Sequence, residues 1–163
     1  MNRISTLELH KDEFSFSAGH FTIFSATDRE DLHGHNYNVN LVMGVLLDDN
    51  GMAFDYRVYK NKLLEICKLL DRRFLLPSQS KYLKLEDTGD MWVAHFNTEK
   101  IPFLKRDVVV LPICNITIEE LSHWFLGQLA VDENELAKNH IQEIFVRVFN
   151  GPGQSGGACW KRG

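Results

Sequence analysis

Hydrophobic and polar residues alternate along the N-terminal part of the chain, the spacing of strands that bury one face of a sheet. The first alternating run covers residues 7–18, and a loop at residues 22–31 follows it. In the second run one face is apolar, formed by Tyr37, Val39, Leu41, Met43 and Val45. Its other face carries Asn36, Asn38 and Asn40. The two runs predict a long antiparallel pair of strands.

Two later segments have the spacing of amphipathic helices. In the first, Asp55 is placed to cap a helix. The apolar side chains of that helix recur every three or four residues, at Tyr59, Leu63, Ile66, Cys67 and Leu70. In the second, Thr117 and Glu120 have the spacing of a capping box. Its apolar stripe is Leu121, Trp124, Phe125 and Leu129. Both stripes are expected to pack on one face of the sheet.

The remaining segments complete the order of elements. Residues 77–106 are irregular and polar around short apolar runs, which predicts an inserted hairpin or a mobile loop. Residues 141–149 have the pattern of a strand. The chain 1–163 is therefore expected to form one α+β domain, with two helices on one face of an antiparallel sheet.

Composition narrows the class of protein. The chain has 163 residues, 44% hydrophobic and 25% charged, as in soluble globular domains. Its net charge of -4 offers no basic surface to nucleic acid or anionic membranes. The N-terminus lacks a signal-peptide core, and no segment approaches the roughly 20 apolar residues that span a bilayer. We therefore expect a cytoplasmic protein. The three cysteines are odd in number and widely spaced, so we expect reduced thiols at Cys67, Cys114 and Cys159.

Three histidines lie in strand-like sequence near the N-terminus. Because successive side chains of a strand point to opposite faces, His33 and His35 share one face. His20 ends the first run, so a neighbouring strand brings it beside this pair if the register allows. Three protein ligands leave a zinc ion one free position for substrate. The spacing alone is equally compatible with ordinary strand histidines, one hydrogen-bonded in the core and two half-exposed.

The residues around these histidines match a known family. Residues 16–20 are Phe-Ser-Ala-Gly-His, and residues 32–37 are Leu-His-Gly-His-Asn-Tyr. Further matches occur at residues 52–55, 70–71 and 117–119. With these segments in the family's order, the chain resembles the 6-pyruvoyl tetrahydropterin synthase family, which also includes 6-carboxytetrahydropterin synthase.

The resemblance implies a fold, a metal and an assembly. The fold is the tunnelling fold (T-fold), in which sheets of neighbouring subunits join into an oligomeric barrel around a pore. The assembly is a homo-oligomer, a trimer or a hexamer of paired trimers, with active sites between chains. The cofactor is Zn²⁺, bound by His20, His33 and His35.

The resemblance also points to Glu30 as the catalytic base. Most family members have a cysteine just before the His-x-His pair, but residues 26–32 contain none. The pattern Glu-x-x-His-Gly-His-Asn-Tyr instead resembles the glutamate type of the family. That type cleaves the side chain of 7,8-dihydroneopterin triphosphate to give 6-hydroxymethyl-7,8-dihydropterin for folate synthesis. A carboxylate can serve as this base if burial raises its pKa. Without the resemblance, Glu30 is a solvated loop acid.

Two adjacent residues depart from the family pattern. Asp71 matches the aspartate of a Leu-Asp-His proton relay, but Arg72 replaces the histidine. An arginine stays charged and cannot relay protons, so Arg72 either binds substrate phosphate or pairs with Asp71. His123 is a candidate substitute for the missing histidine.

Two further positions concern the ligand's ring. Glu119 matches a residue with which the family grips the pterin. Asn150 stands where the family has a ring-binding glutamate near the end of the last long strand. Asparagine offers one donor group and one acceptor in place of two acceptors, so a different edge is recognised or the same edge is held less tightly.

These features leave three functions open. The first is a zinc-dependent lyase acting on 7,8-dihydroneopterin triphosphate or a close relative, with a phosphorylated dihydropterin as its small-molecule partner. The second is the same zinc scaffold acting on a non-pterin substrate. The third is a non-catalytic, zinc-containing oligomer that binds a ligand without converting it.

Overall fold

The structure is a computed structural model that describes residues 3–163. Its strands are β1 (Arg3–Leu9), β2 (Ser15–His20), β3 (His33–Leu47), β4 (Arg73–Pro77), β5 (Leu83–Asp87), β6 (Met91–Phe96), β7 (Glu99–Leu104), β8 (Val108–Leu111), β9 (Ile141–Phe149) and β10 (Ser155–Lys161). Its α-helices are α1 (Arg57–Leu70), α2 (Ile118–Leu129) and α3 (Glu133–Lys138). None of the helices in this range is long and apolar enough to cross a membrane.

Seven strands form the main sheet, in the order β10-β9-β3-β2-β4-β8, with β1 also paired to β3. The pairs among β1, β2, β3, β9 and β10 are antiparallel, as predicted. β4 pairs with β2 and β8 in parallel, so the sheet is mixed. Parallel neighbours need a long crossover connection. Helix α1 and the inserted strands β5–β7 supply the two crossovers.

The prediction of one continuous strand at residues 7–18 was wrong. The chain turns between β1 and β2, where the Phe14 amide donates to the Lys11 carbonyl. β1 then pairs with the second half of β3, and β2 pairs with its first half. The buried positions are odd-numbered before the turn (Leu9) and even-numbered after it (Phe14, Phe16 and Ala18), so the alternation changes phase at the break.

Helices α1 and α2 begin close to the predicted positions. The N-cap residue of α1 differs from the prediction, and that of α2 agrees with it. The N-cap of α1 is Tyr56, and Asp55 accepts the Arg57 amide from just before the helix. Thr117 caps α2 by accepting the Glu120 amide. The Glu120 carboxylate turns away to the Cys114 amide, so only half of the capping box forms.

The apolar face of the main sheet packs against the helices. The predicted apolar positions of β3 are all buried, and Leu63 of α1 and Phe125 of α2 are fully buried in the same cluster. The predicted arrangement of two helices on one face is confirmed, and the short helix α3 packs on β9. The same face of β2 and β3 therefore packs in the core along part of its length and lines the candidate site near His20 and His35.

The insert at residues 77–106 is a separate three-stranded antiparallel sheet, β5-β6-β7. It is neither a simple hairpin nor an irregular loop. Its apolar side chains form a second cluster around Phe21, Leu76, Leu83, Ala94 and Phe96. The insert is thereby packed against the segment that follows β2.

Candidate metal centre and its cavity

The pairing of β2 with β3 brings the three histidines together. His20 lies directly opposite His33, and Ala18 lies opposite His35. Residues paired in this way share a face of the sheet. The ring centroids are 4.5 Å apart for His20 and His33, 5.1 Å for His20 and His35, and 4.8 Å for His33 and His35. One ring nitrogen of each histidine lies within 4.8 Å of the other two.

Backbone carbonyls orient two of the rings. Nδ1 of His20 is 2.9 Å from the Ile116 carbonyl oxygen, and Nδ1 of His33 is 2.7 Å from that of Asp31. Since a carbonyl only accepts, each Nδ1 carries the proton and each Nε2 keeps its lone pair for a ligand. Hydrogen bonds of this kind orient the ligands of metal sites.

The free nitrogens fit a metal ion. Nε2 of His20 is buried and has no hydrogen-bond partner among the described residues. Nε2 of His33 and Nε2 of His35 are 3.1 Å apart. Two nitrogens bound to one tetrahedral zinc are about 3.3 Å apart, given Zn–N bonds of 2.0–2.1 Å. Burial lowers the pKa of His20 and of His35, with a further contribution from the neighbouring imidazoles. Lowered pKa values favour the neutral rings that bind metals.

A cavity of about 250 Å³ opens beside the histidines. Its walls come from the ends of β2 and β3, the loop after β2, the start of α2 and the residues after β9. The predicted site residues that line it are His20, His35, Glu30, Glu119 and Asn150. Segments far apart in sequence therefore meet at one space next to the candidate metal centre.

Glu30 faces this cavity in its ionised form. Its Oε2 accepts the Thr22 amide at 2.9 Å and lies 3.8 Å from Nε2 of His33. Burial pushes the pKa of Glu30 up, but the hydrogen bonds from Thr22 and the charge of His33 outweigh it, and the pKa is lowered. The condition named for a carboxylate base, a pKa raised by burial, is therefore not met within the single chain. Glu30 lines the cavity, so its carboxylate is placed to meet a substrate.

Asp71 and Arg72 do not line the 250 Å³ cavity of their own chain. The Asp71 carboxylate accepts the Ser17 amide at 2.9 Å, and Nε of Arg72 is 3.4 Å from Asp71. Arg72 lines a different cavity, of about 510 Å³, together with Ser17 and Asn36. Those two side chains point to the face of the sheet opposite the histidines. The exposed His123 does not line the 250 Å³ cavity either.

Tyr37 and Gln154 also line the cavity and were not predicted as site residues. Tyr37 follows the same alternation as His33 and His35, which could have revealed it, although it also fits a core position. Burial, followed by the charge of Glu30, raises the pKa of Tyr37, so its hydroxyl stays protonated. Gln154 donates from Nε2 to Oδ1 of Asn150 at 2.7 Å. Only its place in the glycine-rich loop after β9 pointed to it.

Comparisons with known proteins agree with this geometry. The family model for 6-pyruvoyl tetrahydropterin synthase matches residues 8–156. A Methanocaldococcus jannaschii protein, provisionally described as a 6-carboxy-5,6,7,8-tetrahydropterin synthase, is 28% identical over 148 residues, covering 90% of this chain and 89% of its own length.

Solved structures extend the likeness to the whole fold. The Plasmodium vivax 6-pyruvoyltetrahydropterin synthase is 31% identical with a TM-score of 0.92, covering 98% of this chain and 99% of its own. The Plasmodium falciparum enzyme gives 31% identity and a TM-score of 0.92, covering 99% and 100%. Variants of the vivax protein replace a glutamate, described as a catalytic residue, by alanine or by cysteine. The predicted T-fold is confirmed by these structures.

Proposed function

Because the chain belongs to the 6-pyruvoyl tetrahydropterin synthase family, we propose that it is a zinc-dependent lyase acting on 7,8-dihydroneopterin triphosphate or a close relative. The preferred reaction is cleavage of the substrate's side chain to 6-hydroxymethyl-7,8-dihydropterin. The observation that carries the proposal is the Glu30 carboxylate, which lies 3.8 Å from His33 at the triad, with no cysteine in residues 26–32. The glutamate named as catalytic in the vivax relative supports the same role.

The residues at the cavity have separate roles in the proposed reaction. Zinc bound by His20, His33 and His35 supplies a Lewis acid that makes the substrate's side-chain hydroxyls more acidic. Glu119 holds the heterocycle, and Asn150 meets its other edge with a neutral carboxamide. Tyr37 offers a protonated hydroxyl beside Glu30. The cavity thus combines ring recognition with a base at the side chain.

Glu30 performs the proton transfers. Its carboxylate accepts the proton of the hydroxyl on the second side-chain carbon. That oxygen's electrons form a carbonyl, the bond between the first and second carbons breaks, and its electron pair passes into the ring system. Glu30 then returns the proton to the first carbon. The products are 6-hydroxymethyl-7,8-dihydropterin and a two-carbon aldehyde that keeps the triphosphate.

Replacing Glu30 by glutamine tests this role. Zinc-loaded protein is incubated with 7,8-dihydroneopterin triphosphate, and products are followed by pterin fluorescence and mass. We expect Glu30→Gln to lower kcat by about 100-fold or more, because a general base is lost. Zinc content should not change. Asp28→Asn, a neighbouring exposed acid, is the matched control. An unchanged kcat in Glu30→Gln would exclude Glu30 as the base.

A second candidate is a different heterocyclic substrate on the same zinc scaffold. The Asn150–Gln154 carboxamide pair favours it, because a carboxylate at that wall would present acceptors only. Full zinc occupancy without turnover of 7,8-dihydroneopterin triphosphate would favour this candidate. Ligand binding without conversion, in wild type and in Glu30→Gln alike, would favour the non-catalytic binding oligomer.

We also propose a cytoplasmic homo-oligomer, a trimer or a hexamer, with the site completed between chains. Asp71 and Arg72 lie beside Ser17, outside the 250 Å³ cavity of their own chain. In the proposed assembly they approach the cavity of a neighbouring chain. There Asp71 supports proton transfer and Arg72 meets the substrate's phosphates. A triphosphate substrate, which is too polar to cross a membrane, supports the proposed location.

A further inference from the structure

Arg29, the residue before the proposed base, joins three parts of the molecule. Its Nε and Nη2 donate to Oε2 of Glu99 at 2.7 and 2.6 Å. Its Nη1 donates to the backbone carbonyl of Glu30 at 2.7 Å. Its guanidinium lies 5.3 Å from the ring centre of Phe21 and 5.8 Å from that of Phe96. The Arg29 side chain is only 15% exposed, whereas that of Glu99 is 48% exposed, so the ion pair lies where the buried aromatic contacts meet the surface.

The partners of Arg29 belong to the inserted sheet. Glu99 begins β7, and Phe96 ends β6. Arg29 is therefore the polar link between the insert and the loop that carries Glu30. A planar guanidinium makes several directed hydrogen bonds at once and stacks on aromatic rings. A lysine at this position keeps the charge but loses the second and third donor directions.

The backbone of Glu30 is fixed on its other side by Thr22. The Glu30 amide donates to the Thr22 carbonyl at 2.9 Å, and the Thr22 amide donates to the Glu30 carboxylate at 2.9 Å. Together with the Arg29 contact, the peptide groups on both sides of the Glu30 Cα are held. The carboxylate is thereby aimed at the histidines by contacts that do not touch the substrate.

We propose that Arg29 is a positioning residue, which uses the Glu99 anchor in the insert to hold the Glu30 carboxylate in place for proton transfer. This rests on the proposed role of Glu30 as the base. The insert then has a function in the reaction without contributing a residue to the cavity. Small misplacement of a reacting group costs rate more than binding.

The test separates positioning from stability. In Arg29→Met/Glu99→Met both charges are removed together, and the methionines can pack between the Phe21 and Phe96 rings, so no unpaired charge is buried. This variant lacks any donor for the Glu30 carbonyl. Arg29→Lys is the conservative variant. Lys105→Gln is the matched control, since Lys105 also pairs with an acid, Asp87, and lies over a ring of the insert.

Five quantities are measured on the zinc-loaded protein. These are kcat and KM for 7,8-dihydroneopterin triphosphate, zinc content, Tm, and hydrogen–deuterium exchange of peptides covering residues 21–32. We expect the double methionine variant to lose about 10-fold in kcat with KM changed less than about twofold. Its zinc content and Tm should match the wild type, and exchange at residues 21–32 should be faster. Arg29→Lys should fall between, and Lys105→Gln should equal the wild type.

The outcomes distinguish this inference from the proposed function. If the double methionine variant keeps wild-type kcat and wild-type exchange, the positioning role is refuted even though the lyase proposal stands. If kcat and KM change only in step with a lower Tm, Arg29 is merely structural and the proposal is refuted. Suppose that the wild type turns over no dihydroneopterin triphosphate, while exchange at residues 21–32 is still faster in the variant. The Arg29 contacts then hold the Glu30 loop as proposed, and the substrate assignment fails.

Discussion

At the residue scale, the histidines are oriented by groups outside their own strands. The carbonyl that fixes His20 belongs to Ile116, far along the chain, and the one that fixes His33 belongs to Asp31 in the preceding loop. Each contact leaves Nε2 as the ligand atom. The candidate metal centre therefore depends on the segment before α2 and on the loop after β2 as much as on the two strands.

Burial also determines whether the Cys67 or the Cys114 thiol reacts with a labelling reagent. Desolvation raises the pKa of Cys67 to about 12, while Cys114 is exposed. At pH 8 a thiol of raised pKa stays protonated, and the thiolate is the reactive form. We predict that a maleimide reagent labels Cys114 in the native protein and labels Cys67 only after unfolding. Mass spectrometry of labelled peptides checks this. Rapid native labelling of Cys67 would show that the packing of α1 is wrong.

Some residues of the site were predictable and others were not. Strand alternation was enough to place His33 and His35 on one face. The position of His20 beside them depends on the register between β2 and β3. Glu119 and Asn150 came from family resemblance alone. Gln154 and Thr22 act through tertiary contacts that no local pattern encodes. The lowered pKa of Glu30 depends on the Thr22 amide, so it also could not be derived from the sequence.

At the element scale, the start of α2 is held against the last strand by close backbone packing. A Cβ on Gly156 would lie 2.5 Å from the Glu119 nitrogen and 2.5 Å from the Ile118 carbonyl carbon. Only glycine lets β10 and α2 approach this closely. This contact sets the position of Glu119 at the cavity.

We predict that Gly156→Ala destabilises the protein by about 1–3 kcal/mol, because backbone atoms must move to make room. The shift also displaces Glu119, so KM for the pterin should rise. Gly127→Ala, within the same helix, is the control: a Cβ there meets nothing within 4 Å. It should be neutral or stabilise by about 0.5–1 kcal/mol. Denaturant unfolding and steady-state kinetics measure both effects. Equal stability of the two variants would contradict the close packing.

The sequence predicted the elements better than their connections. Helical spacing located α1 and α2, and alternation located β3 and β9. The turn between β1 and β2 was missed, although the alternation changes phase there, between Leu9 and Phe14. The parallel pairing of β4 and β8 was missed as well, since pairing direction depends on how the crossovers route the chain.

At the scale of the whole molecule, a single chain separates the residues that the family resemblance assigns to one site. Glu30 lies at the histidines, whereas Asp71 is held beside Ser17. The exposed edges β10 and β8 of the main sheet are available for pairing with other copies. The proposed site, shared between chains, would bring these residues together.

Mixing two inactive variants tests this sharing. We predict that Glu30→Gln and Asp71→Asn are each nearly inactive, and that unfolding and refolding them together restores activity. With random assembly, about a quarter of the shared sites receive both wild-type residues. Each variant refolded alone is the control, and light scattering gives the oligomer size. No recovery in mixed oligomers would contradict a site to which one chain gives Glu30 and its neighbour gives Asp71.

The central claim is that His20, His33 and His35 hold one metal ion through their Nε2 atoms. The most direct measurement is zinc content by elemental analysis after chelator treatment and reconstitution, with the affinity from titration. We predict one zinc per chain and an affinity at least about 100-fold weaker in His20→Ala or His35→Ala, since even losing an outer-shell partner costs 10–100-fold. His123→Ala should bind zinc as the wild type does. A wild type that binds no metal, or triad variants with unchanged affinity, would contradict the account.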